Sequence, residues 1–169
     1  MKQIAMGLVQ YHCWATKKLL SYLQALPHNV LTWPINSLFP NIEAVLVHML
    51  ADDELWLERM KGNEQSDMEE KYGWPVKQFI LAYDRFLEDL RNFVSDVEDV
   101  NAVVSYTNGK GERASNTILE MIYHIVNQGT YHRGNISVML HQAGYDLIAT
   151  DYIHFLKENE ANLFTGVSQ

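Results

Sequence analysis

The sequence predicts an all-α fold: a four-helix bundle with a short C-terminal helix. Two observations carry that prediction. Apolar residues recur at three- and four-residue spacing in four long stretches, the period of an amphipathic helix. Proline, glycine and short polar residues stand at the ends of those stretches, where helices start and stop.

The first stretch runs from about Ile4 to Leu26 through Leu8, Tyr11, Ala15, Leu19 and Tyr22, and Pro27 closes it. The second runs from about Asn41 to Lys61 through Ile42, Val45, Leu46, Met49, Leu50, Leu55, Trp56 and Met60. Pro40 suits a first-turn position there and Gly62 suits a stop. The third starts near Pro75 and reaches about Val97, with Phe79, Ala82, Tyr83, Phe86, Leu90 and Phe93 on one face. The fourth starts between Ser115 and Thr117 and reaches His141 or Ala143, with Gly144 as the stop. Thr117 and Glu120 have the spacing of a capping box. A fifth, shorter helix is expected from Asp151 to Glu160, capped by Thr150 or Asp151.

Three connections are long: about Pro27–Phe39, Asn63–Trp74 and Asp99–Ala114. A simple up-and-down bundle joins its helices with about 2 to 8 residues. At least one crossover connection is therefore expected. In the last connection, Val103-Val104-Ser105-Tyr106 and the residues after Asn108-Gly109 admit a small hairpin, because Asn-Gly is a strong turn signal.

Length and composition bound the function. At 169 residues, 47% hydrophobic and 20% charged, the chain has the balance of one globular domain, spanning 1–169, with a core of its own. No apolar run approaches the roughly 18 to 20 residues of a membrane-spanning helix. The polar-interrupted N-terminus lacks a signal-peptide core, so the expected location is the cytoplasm. The single cysteine, Cys13, excludes an internal disulfide framework and a Cys-rich zinc site; among apolar neighbours it reads as a small buried hydrophobe. A formal net charge of −8 and the lack of a Lys/Arg cluster argue against nucleic acid as a partner.

The chemistry is concentrated in the fourth stretch. His124, Gln128 and His132 stand four apart and so share one helix face. Two histidines at i and i+4 chelate one metal from a single helix, but here the pair is Gln128-x-x-x-His132. An amide oxygen is a harder, neutral donor than the imidazole that zinc, nickel, copper or iron prefers. His124 does not replace the missing imidazole, because eight residues separate it from His132 by about 12 Å of helix rise. On the second helix, His48 lies in an otherwise apolar run, Val45-Leu46-Val47-His48-Met49-Leu50. It reads either as a core histidine with a hydrogen-bond partner or as a ligand pointing into the bundle, where such proteins build metal sites. Asp52, one turn on, is either an outer partner of a metal-bound group or a surface carboxylate. His28, His141 and His154 have ordinary readings: a solvated loop, a helix C-terminus and the short last helix. Arg133, about 100° around the helix from His132, is expected to pair with Glu54 or Asp53 rather than to touch substrate. Tyr131 reads as packing.

Three segments resemble the DinB-like, or YfiT-like, metal-binding four-helix bundles of bacteria. Tyr11-His12-Cys13-Trp14-Ala15 is similar to the family's N-terminal Tyr-Asn-x-Trp-Ala pattern. Val47 to Gly62 is similar to its second helix, where a ligand histidine precedes an acidic turn and a Trp. Ile125 to Ile136 is similar to its Asn-His-x-Thr-x-His-Arg-Gly-Gln-Ile signature, with Asn135 in place of the last amide. Gly144 and the Thr150–Leu156 region also fit its C-terminal end.

The resemblance implies an up-down-down-up helix order and a homodimer. It also implies a divalent metal, zinc or nickel, held by three side chains that fall here on His48, Gln128 and His132. Two match the family's histidines and Gln128 departs. Characterised relatives include S-transferases and isomerases that use small thiols such as bacillithiol or mycothiol. Two functions follow as expectations. One is a metal-dependent, thiol-using enzyme whose site is altered at Gln128. The other is a non-catalytic dimeric bundle that has lost its metal and binds a small ligand or none.

Overall fold

The computed structural model describes residues 1–63 and 71–165, with the backbone alone for 160–165. The elements in order are α1 (Lys2–Gln24), a 3-10 turn (His28–Val30), α2 (Ile42–Met60), α3 (Val76–Asp96), β1 (Val103–Thr107), β2 (Arg113–Thr117), α4 (Ile118–Gln142) and α5 (Tyr152–Thr165). Each expected helix is present, with ends shifted by a few residues. Among the described residues, no helix is long and apolar enough to cross a membrane.

Side-chain pairs set the directions of the bundle. Lys17 meets Asp84 at 2.9 Å, while Lys2 reaches the carbonyls of Ser95 and Val97, so α1 and α3 are antiparallel. Tyr11 lies beside Thr130 and Tyr22 beside Asp146, so α1 and α4 are parallel. His48 faces His132 and Trp56 faces His124, so α2 and α4 are antiparallel. The order is up-down-down-up. α3 must then run in the same direction as α2, and the chain must return along the bundle between them. It does: the Gly73 N–H donates to Glu43 Oε1 at 2.8 Å, next to the start of α2. The middle of that crossover, 64–70, lies outside the described residues.

The helix ends follow local chemistry. Asn41 caps α2, its Oδ1 accepting from the Ala44 N–H at 2.9 Å. Pro40 therefore stands one residue before the cap rather than in the first turn. Thr117 and Glu120 form the expected capping box at α4. Gly144 takes φ +85°, and the Tyr145 N–H closes the last turn onto the Leu140 carbonyl.

The expected hairpin forms, with Val103 opposite Thr117 and Thr107 opposite Arg113. Its turn differs from the Asn-Gly expectation. Asn108 holds the loop by accepting from the Lys110 and Glu112 N–H groups, and Gly111, not Gly109, takes the positive φ, +79°. Arg59 of α2 packs beside the paired rings of Trp56 and Tyr106, 4.7 Å from each centroid, and donates to the Thr107 carbonyl at 3.3 Å. That contact seats the hairpin on α2.

The core runs the length of the bundle through residues such as Leu23, Leu46, Leu50, Phe79, Leu87 and Ile122, all buried. A smaller cluster of Tyr11, Ala15, Val126 and Phe155 holds α5 against α1 and α4. Cys13 is buried as expected, and burial raises its thiol above the ordinary range against the opposing pull of Arg91.

Candidate functional site

The antiparallel packing of α2 and α4 turns two i,i+4 rows into a ladder. His48 faces His132, Asp52 faces Gln128, and Trp56 faces His124. The three sequence candidates, His48, Gln128 and His132, thus meet on one face between these helices.

At the first rung the His48 and His132 rings lie edge to face, with centroids 4.8 Å apart. Phe39, from the segment before α2, packs on both, at 5.4 Å from His48 and 5.6 Å from His132. His48 is half-buried and His132 buried. Burial, reinforced by His48 and opposed by Asp52, lowers the His132 pKa to about 4. His132 is therefore a neutral imidazole at neutral pH, the state in which the ring donates a lone pair.

At the second rung Asp52 Oδ2 accepts from the Gln128 amide nitrogen and lies 3.3 Å from His48 Nε2. Asp52 is half-buried and touches both neighbours. A carboxylate accepts only, so it selects the NH2 end of the amide. The oxygen is left as the free end. Gln128 Oε1 is buried with no hydrogen-bond partner among the described residues, and so is His132 Nδ1. Buried polar atoms are seldom left this way unless something else occupies the space beside them.

Two imidazoles and an amide oxygen, backed by Asp52, make a weaker set than three imidazoles. Among the described residues, no three His, Cys, Asp or Glu side chains gather closely enough to hold an ion by themselves. Among the described residues, the third donor available beside the two imidazoles is the Gln128 oxygen. The third rung adds none: His124 is exposed and packs at a tilt against Trp56, with ring centroids 4.5 Å apart.

Two positions depart from the sequence reading. Arg133 contacts neither Glu54 nor Asp53 directly. Its guanidinium donates to Tyr11, Thr130, Thr16 and His12, while Glu54 pairs with Lys71 at 2.9 Å. The reason is direction: one residue past His132 on the helix, Arg133 turns into the bundle interior, toward α1, and is 1% exposed. His12 carried no role beyond its place in an N-terminal motif, yet it is fully buried and stands between Arg133 and Asp53. Its register was a signal. Val9, His12, Thr16, Leu20 and Leu23 form one buried face of α1, so a histidine at that position had to find polar partners inside.

Comparison with known proteins agrees with this architecture. The model of the DinB family matches residues 1–162. The chain is 32% identical over 160 residues to Protein DinB of Bacillus subtilis, an alignment covering 90% of this chain and 93% of that protein. Its fold is similar to the crystal structure of a DinB-like protein from Bacillus cereus, with a TM-score of 0.62 and 17% identity over 84% of this chain and 94% of that one. At that identity the likeness is one of fold.

Proposed function

Because the chain belongs to the DinB family, we propose that it is a divalent-metal-binding member, an enzyme of the thiol S-transferase or isomerase type, with an altered donor set. One observation carries the reading: two buried atoms, Gln128 Oε1 and His132 Nδ1, lack partners among the described residues beside His48. His48, His132 and the Gln128 oxygen are the side chains that would hold zinc or nickel. A bound ion there would supply Lewis acidity, favouring the thiolate form of a small thiol at neutral pH.

The chain's own residues do the rest. Asp52 orients the Gln128 amide so that its oxygen is available. Phe39 packs over both imidazoles and excludes water from one side of the site. Burial keeps His132 unprotonated and ready to donate. A homodimer belongs to the same reading and rests on the family resemblance; a cytoplasmic setting is proposed with it.

A second reading, a metal-free bundle, is favoured by Asp52, which already occupies His48 and one end of Gln128. Metal analysis with zinc and nickel titration decides between them. The expected result is weak binding that His132→Ala abolishes and Gln128→His strengthens by about tenfold or more. Equal metal content in the native protein and His132→Ala would exclude the metal site. Tight stoichiometric metal in the native protein, lost on His48→Ala, would instead show that Gln128 does not weaken the site.

A further inference from the structure

Directly behind the ladder, the bundle interior holds an acid, a base and an arginine that the candidate site does not use. Asp53 follows Asp52 on α2, and Arg133 follows His132 on α4. Each turns inward, with exposures of 2% and 1%. They are joined through His12 of α1: Asp53 Oδ2 lies 3.3 Å from His12 Nε2, and Arg133 Nη1 lies 3.5 Å from His12 Nδ1.

We propose that His12, Asp53 and Arg133 form a positioning assembly for the candidate site, with His12 a neutral bridge whose proton sits on Nε2.

Donor and acceptor types decide the proton's place. Arg133 has donors only, so His12 Nδ1 must accept. The ring proton then belongs to Nε2, which donates to Asp53. The remaining contacts of Arg133 run in the same sense. Its Nη2 donates to Tyr11 Oη at 3.3 Å, and the Tyr11 hydroxyl donates its own proton to the Thr150 carbonyl at 2.9 Å. It also donates to Thr130 Oγ1 at 3.0 Å, and that hydroxyl donates to the Val126 carbonyl at 3.0 Å. Nη1 also reaches Thr16 Oγ1 at 3.5 Å. Tyr11 Oη and Thr130 Oγ1 also lie 3.3 Å apart, and with both protons given to carbonyls the two oxygens share Arg133 as their common donor. With both nitrogens engaged, His12 serves as a spacer.

The spacer acts on the site through the backbone. Asp53 lies on α2 within two turns of His48 and Asp52, and Arg133 lies on α4 within two turns of Gln128 and His132. Holding 53 and 133 at opposite edges of one imidazole fixes how far α2 and α4 stand apart at the first two rungs. A buried charge left without its partner is costly, so the spacing is held firmly.

The inference uses the proposed metal-site reading for one of its three readouts only. In metal-free native protein, nitrogen NMR should show His12 as the Nε2–H tautomer, and cross-relaxation should connect the His48 and His132 rings. His12→Leu removes the bridge: the ring-to-ring signal should weaken and zinc affinity fall about tenfold, with helical circular dichroism unchanged. His12→Gln keeps one acceptor and one donor and should restore both. A proton found on Nδ1, or an unchanged ring-to-ring signal in a folded His12→Leu, would overturn the assembly. If His12→Leu does not fold, the native tautomer and the ring signal in His12→Gln still decide. If native protein binds no zinc, the metal reading fails, and the tautomer and ring signal continue to judge the positioning role.

Discussion

His132 and Gly129, three residues apart on α4, do opposite things to the space around them. His132 holds an unpartnered buried nitrogen beside His48, while Gly129 makes room for His12. A Cβ at Gly129 would stand 2.6 Å from His12 Cε1 and 2.8 Å from Arg133 Nη1. Gly129→Ala should therefore destabilise by about 1–3 kcal/mol despite alanine's better helix propensity. Urea unfolding measures this; a stabilised variant would show that the interior yields more easily than these distances allow. His132 also predicts a pH effect. Its folded pKa of about 4 lies below the ordinary histidine value of 6.5, so the unfolded chain takes up the proton first. The stability this group contributes is complete above about pH 6.5 and is lost as pH falls toward 4. In metal-stripped protein, the His132 ring should titrate near 4 by NMR, and a midpoint near 6.5 would contradict its burial beside His48.

The start of α4 joins a local capping box to two longer-range bonds, from the Ile118 and Leu119 N–H groups to the Ala102 and Val100 carbonyls, and the helix can be tested there without touching the site. Thr117 and Glu120 satisfy donors that would otherwise be bare at the N-terminus. Thr117→Ala should cost about 1 kcal/mol and leave metal titration unchanged. A loss of zinc binding in that variant would mean that the start of α4 governs the rungs below it. The capping box was legible in the sequence because its partners are three residues apart. The turn between β1 and β2 was less so: Asn108-Gly109 marks the right place, but the Asn108 side chain bonds and Gly111 bends. Dipeptide signals report turns, while the loop length that settles the turn type depends on where the two strands begin to pair.

The fifth helix shows how the whole molecule closes. Phe155 packs against Tyr11 and Trp14, and Glu158 accepts from the Trp14 indole N–H at 2.7 Å and from Lys18 at 2.6 Å. The Lys18 and Trp14 contacts pull Glu158 below the ordinary carboxylate range. Being surface contacts, they add little to stability, and Phe155 is the main anchor. Phe155→Ala should cost about 3 kcal/mol and speed hydrogen exchange in Tyr152–Asn159 while the four-helix core stays protected. Uniformly faster exchange would mean that α5 unfolds only with the bundle.

At this largest scale the division of labour is clear. Periodicity, caps and stops determined the helices, and the resemblance of the α2 and α4 motifs to the family's pointed to His48, Gln128 and His132 as the candidates, because those signals lie within a few residues along the chain. Only the tertiary structure decided that Asp52 would turn the Gln128 amide, that Phe39 would cover both imidazoles, and that Arg133 would reach Asp53 through His12. Those contacts join residues far apart in sequence, and their geometry exists only once antiparallel α2 and α4 have packed against α1.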